Sequence, residues 1–271
     1  MLESRKREIR IKAETFRKNC KVGRYGIIDL FEECSRNYKL LRYPLGENAD
    51  MGFALKRDDD IIIFTNSSLR LSREIFTLAH EIGHIELHFG KDNSFVDNHH
   101  TVFGKSDEVA EQEANYFAAC LLMPKDEVEK FFDLELSNIK GSKLSAFDIT
   151  RLMSEFKVSF DMALKRLREL DIIDENEELC LDTEKNTHRV GNMLKATGGD
   201  RRLNEASLEI SLPFEYLDYT IYNYNQGAIP KETLQSALDC YGFTWVDVSD
   251  KVVEPSEEEI DIDELLGGLE D

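Results

Sequence analysis

In the stretch FTLAHEIGHIELH, residues 76–88, histidines recur at intervals of four, at His80, His84 and His88, with Glu81 beside the first. At about 100° per residue, a helix places these four side chains within one arc roughly 100° wide. The helical rise, about 1.5 Å per residue, then sorts them. His80 and His84 sit one turn apart and can converge on one ion. His80 and His88 start about 12 Å apart along the axis, too far for two bonds of about 2.0–2.1 Å to a single zinc. The spacing therefore assigns two ligands to the HExxH segment and leaves His88 without a bond to the metal. Neutral imidazoles would clamp the ion, and Glu81 would face a water that the ion polarises. HExxH is short enough to arise by chance in on the order of one chain in a hundred. Its setting gives it weight, because it lies in a helical pattern directly after a predicted strand.

A zinc site of this kind needs a third protein ligand. The metzincin continuation HxxGxxH is excluded by Leu87 and Gly90. The remaining choices are His99 and His100, in the polar loop 89–105, and Glu111 and Glu113, in the helical pattern SDEVAEQEANYFAACLLMP (106–124). With Glu111 at 0° on a helical wheel, Asn115, Ala118 and Leu122 fall within roughly 40° of it. Glu113 falls near 200°, beside Tyr116 and Cys120. The wheel thus puts Glu111 with the buried face and turns Glu113 and Cys120 outward. A buried carboxylate is costly unless it is paired or metal-bound, which favours Glu111 as the ligand. Asn115, one turn on, is placed to brace a ligand through a hydrogen bond. A developing oxyanion would need one more donor, with His88, Tyr116, His99 and His100 as alternatives.

The elements around these residues follow from periodicity. Residues 2–19 read as a helix with a basic, solvated face. Ile27, Leu30, Phe31 and Cys34 have helical spacing, 38–46 reads as a strand, and 51–66 reads as a hairpin turning at Arg57–Asp60. Residues 145–173 read as two short helices around Lys157–Ser159. Together, 1–175 form the expected domain with its trailing helix pair. The polar stretch 176–200 reads as a linker, 201–250 as a small helical region, and 251–271 as an acidic, disordered tail.

With 271 residues, 41% of them hydrophobic, the chain can bury a core. Its net charge of −20 disfavours direct nucleic-acid binding, which depends on neutralising phosphates. Five widely spaced cysteines without a CxxC pair suggest reduced thiols in the cytoplasm. The charged start lacks the apolar run of a signal peptide, and no stretch approaches the roughly 18 apolar residues of a membrane span.

The pairing of FTLAHEIGHIELH with EQEANYFAACLLMP resembles the ImmA/IrrE family of zinc metallopeptidases. RYGIIDLFEEC and YPLG upstream and FKVSFDMALKRL downstream extend the resemblance over roughly residues 20–175. It implies an α+β, gluzincin-like metallopeptidase domain with a small antiparallel sheet packed on the zinc-binding helices, followed by a helical C-terminal region. It also implies Zn2+ held by His80, His84 and Glu111, with Glu81 catalytic. The implied substrate is a protein, a helix-turn-helix transcriptional repressor that the enzyme cleaves or inactivates. Cys120 departs from the pattern, since the family commonly has an acid there. A rival reading is a DNA- or protein-binding regulator with structural or sensory zinc, resting on Lys165, Arg166 and Arg168. Asp161 and Glu169 share that helix, and an intact Glu81 is not required by a site without turnover.

Overall fold

Three short runs, of which the central one, DIIIFTN, is rich in β-branched and aromatic residues, build the sheet of the first of two units. Strands β1 (Lys39–Tyr43), β2 (Gly52–Arg57) and β3 (Asp60–Asn66) lie in the order β1-β3-β2. The computed structural model describes residues 1–57, 60–89, 108–136 and 143–253, and divides into Met1–Ser211 and Leu212–Asp271. β2 and β3 are the expected antiparallel hairpin, with Ala54 opposite Ile63. β1 runs parallel to β3, so the sheet is mixed. The outer edge of β1 is engaged by Ser211, which pairs with Arg42, and β2 is the other edge.

Helix α1 spans Glu3–Lys18 and α2 spans Leu30–Ser35; α3 spans Leu71–His88 and α4 spans Glu108–Leu122. α2 is shorter than its spacing predicts. Asp29 caps it by accepting from the Glu32 N–H, and Ile27 sits before it in a bridge with Val22. α3 follows the sheet directly and buries Leu78, Ala79 and Ile82 completely. Gly83 lets α3 meet α4 backbone to backbone. A Cβ there would lie 3.1 Å from the Ala114 Cα and carbonyl oxygen and 3.2 Å from the Phe117 ring. That close approach brings the histidine-bearing turn of α3 beside the start of α4.

The opposite flank of α4 is covered by α1, whose Ile9 and Ala13 are fully buried. The basic face of α1 is accordingly not all solvated. Arg17 is buried and donates to the carbonyls of Leu121 (3.0 Å) and Tyr25. Such long cationic side chains can pack their stems while the guanidinium satisfies backbone oxygens.

Helices α5 (Lys125–Glu135), α6 (Ala146–Phe156) and α7 (Phe160–Glu169) follow. Lys157, left-handed at φ 56°, turns the chain between α6 and α7. The segment read as a linker, 176–200, is structured. It forms most of α8 (Glu175–His188) and all of α9 (Val190–Thr197), and α8 starts at a capping box between Asp174 and Glu177. Leu181, Met193 and Leu194 are sparse in sequence, but each is buried in the main core. Polar composition here marks outward faces and not an unpacked chain. Residues 201–211 also belong to the first unit, through buried Leu203 and the Arg70–Ala206 and Arg42–Ser211 bridges.

The second unit pairs α10 (Phe214–Asn225) with α11 (Lys231–Tyr241) around Leu217, Ile221, Leu234, Leu238 and Val248. His99, His100 and the acidic tail from 254 onward lie outside the described residues. Among the described residues, no helix is long and apolar enough to cross a membrane.

Candidate metal centre

His80 and His84 project from one face of α3 toward Glu111 in the first turn of α4. The two Nε2 atoms are 2.9 Å apart. Glu111 Oε2 lies 3.2 Å from His80 Nε2, and Oε1 lies 3.3 Å from His84 Nε2. Donor atoms on bonds of about 2.0–2.1 Å in a tetrahedron are separated by roughly 3.3 Å. Two imidazoles and one carboxylate with this spacing fit a single divalent transition-metal ion. His88 does not join them.

Hydrogen bonds and burial act on each of the three in turn. His80 Nδ1 is 3.1 Å from Asn115 Oδ1. In the neutral ring, a hydrogen bond donated by His80 to that oxygen leaves Nε2 as a bare lone pair, whereas the protonated ring also donates from Nε2 to Glu111. Burial and the neighbouring His80 push the His84 pKa down, which keeps its ring neutral. Burial pulls His80 down too, but Glu111, Glu81 and Asn115 outweigh it and hold the ring above its ordinary value. Hydrogen bonding from His80 holds Glu111 below the usual carboxylate range, against the opposing effect of its burial.

Glu81 is 5% exposed, and its Oε2 is the buried side-chain oxygen left without a hydrogen-bond partner among the described residues. Burial lifts its pKa to about 7, opposed by His80 and by a hydrogen bond from the Ala54 backbone of β2. Uncompensated buried carboxylate oxygens are rare and call for a functional explanation.

The helical wheel misjudged the other face of α4. Glu113 is buried, 8% exposed, and receives Arg5 Nε at 2.8 Å and Arg5 Nη2 at 2.5 Å. The Arg5 hydrogen bond drives its pKa down to about 2. Glu111, placed by the wheel on the buried face, has a side chain 31% exposed, and Asn115 is also exposed. The reason is α1, which covers the flank that a wheel of α4 alone leaves to solvent. Cys120 is buried on that flank as well, with Arg166 Nη2 3.5 Å from its sulfur. Tyr116 turns the same way, accepting from Arg10 at 3.3 Å, so it is not gathered with the metal group. His88 connects the two flanks. Its Nδ1 is 3.1 Å from His84 Nδ1, and its Nε2 is 3.1 Å from Glu113 Oε2. Sequence reasoning missed Arg5 and gave Glu113 no role; the one available signal was an arginine on a helix with apolar residues at Ile9 and Ala13.

Against known proteins, no curated protein matches the chain. Residues 36–168 match the family model Peptidase M78, described as the IrrE N-terminal-like domain.

Proposed function

Because residues 36–168 belong to the IrrE N-terminal-like peptidase family, we propose that the chain is a cytoplasmic zinc endopeptidase with a narrow protein substrate of the helix-turn-helix repressor type. The observation that carries this reading is the convergence of His80, His84 and Glu111 beside a buried, unpartnered Glu81 oxygen. The nitrogen-rich donor set and its near-tetrahedral spacing support zinc as the ion. When bound, zinc supplies Lewis-acid polarisation of a water and of the scissile carbonyl.

The chain's own residues do the rest. Asn115 holds His80 in the tautomer that presents Nε2. Glu81 takes the proton from the attacking water and returns it to the leaving nitrogen. Burial makes Glu81 a stronger base than an exposed glutamate, and a base poised near the working pH is the efficient one. β2 supports a peptide substrate, because an edge strand can accept an extended chain through backbone hydrogen bonds. A peptide added there would run beside Ala54, whose backbone already contacts Glu81.

The repressor as substrate rests on the family resemblance. The rival reading, a DNA-binding helix pair, keeps one exposed cation, Lys165, but loses both arginines it would need. Arg166 is buried and donates to the Met123 carbonyl at 2.9 Å, and Arg168 pairs with Glu178 at 3.3 Å. Five free cysteines accord with a reducing compartment. The test is incubation of the purified protein with helix-turn-helix repressors and mapping of new termini. Cleavage should require zinc, stop with a chelator and slow by orders of magnitude with Glu81→Gln. New termini that appear at the wild-type rate in the Glu81→Gln protein would reject the assignment.

A further inference from the structure

Each proposed histidine ligand has a partner on its other ring nitrogen, but the two partners differ in kind. His80 meets the exposed amide of Asn115, whereas His84 meets a ring that is itself held by a buried carboxylate. If His84 Nε2 binds a metal, its proton must sit on Nδ1. That proton faces His88 Nδ1 at 3.1 Å, so His88 must accept there and carry its own proton on Nε2. His88 Nε2 then donates to Glu113 Oε2 at 3.1 Å. In the other tautomer of His88, two N–H groups would oppose each other across the contact with His84. Glu113 is the group that excludes this arrangement. Its carboxylate plane is set in turn by the two-pronged contact with Arg5, at 2.8 and 2.5 Å.

We infer that the N-terminal helix α1, which lies outside the matched residues 36–168, is a working part of the metal centre: Arg5 fixes Glu113, Glu113 orients His88, and His88 sets the tautomer of His84. Arg5, Glu113 and His88 are positioning residues, acting on the metal only through His84. The inference rests on the metal-binding reading of His80, His84 and Glu111. A rival explanation for the same contacts is a pin that holds α1 against α4 and leaves the metal untouched.

Zinc affinity of the full chain, measured by competition with a chromophoric chelator, separates the two. Arg5→Ala, Glu113→Gln and His88→Ala should each weaken zinc binding by roughly 10–100-fold. Gln keeps the size of Glu113 but offers one acceptor oxygen to three donors. The double variant Arg5→Ala/His88→Ala should bind no more weakly than the weaker single variant, because the residues act in series. Arg5→Lys should recover part of the loss, since it restores the charge without the fork. The absorption spectrum of the cobalt-substituted protein should shift in Glu113→Gln. Wild-type zinc affinity in Glu113→Gln, with only the melting temperature of the metal-free protein lowered, would establish the pin and overturn the inference. Should Arg5→Ala fail to fold, Glu113→Gln still decides. A wild-type protein that binds no zinc would instead remove the proposed function, and this inference with it.

Discussion

Glu111 and Glu113 stand two residues apart on α4 and meet opposite surroundings. Glu111 is partly exposed and faces two imidazoles. Glu113 is buried and gripped by a guanidinium and a third imidazole. The difference separates two uses of a carboxylate. One whose charge is already neutralised by an arginine fork has little left to offer an ion. One that faces imidazole nitrogens, themselves able to turn a lone pair to the same point, keeps its charge available to an ion. Depth of burial does not mark the ligand; among the described residues, what marks it is that no arginine or lysine grips Glu111 as Arg5 grips Glu113.

The sharpest way to break this comparison is metal content. Glu111→Ala should lose zinc and all peptidase activity, whereas Glu81→Gln should keep one zinc and lose activity by roughly 10²–10⁴-fold. Elemental analysis of both proteins decides it, and a Glu111→Ala protein that retains stoichiometric zinc would undo the contrast.

A smaller effect concerns folding. Without metal, Glu113→Ala should destabilise the first unit by about 1.5–3 kcal/mol, because Arg5 and His88 lose a charged hydrogen-bond partner. Glu111→Ala should cost less than about 1 kcal/mol, its side chain being partly solvated. Urea melts of the metal-free proteins give both values. Equal costs would mean that α1 contributes nothing through Glu113.

The smallest effect is in acid. Glu113 is held at about 2 by Arg5, below the roughly 4.3 of an unfolded glutamate. A depressed carboxylate stabilises the fold fully above its unfolded pKa and loses that contribution as pH falls through its folded one. The stability gap between wild type and Arg5→Ala should therefore be widest above about pH 5 and narrow toward pH 2. A gap that stays constant across that range would show that Arg5 acts by packing alone.

Helical spacing in the sequence was enough to pair His80 with His84 and to leave His88 apart, because one-turn geometry is local. The α+β class and the β2–β3 hairpin were legible for the same reason. Long-range covering was not. Glu111 was favoured for burial, yet Glu113 is the buried acid, so the place of Glu111 beside the histidines rests on how α3 and α4 pack. Assigning Glu113 outward required ignoring α1, more than a hundred positions away, and no periodicity in α4 records which neighbour lies on each flank. The 176–200 segment failed differently. Leu181, Met193 and Leu194 are too few to make a periodic signal, yet each is nearly sealed from water.

The place of α1 also bears on modularity. A fragment cut at residues 36 and 168 would keep His80, Glu81, His84 and Glu111 but leave behind Arg5, Ile9, Ala13 and Arg17. It would also lose Leu181, Met193, Leu194 and Leu203 from the shared core. The α4 flank bearing Glu113 and Leu121 would then lose its α1 cover, with the Glu113 carboxylate stripped of the Arg5 guanidinium and the Leu121 carbonyl of Arg17. The family match thus delimits a recognisable pattern of residues within a larger compact unit, Met1–Ser211, that shares one core.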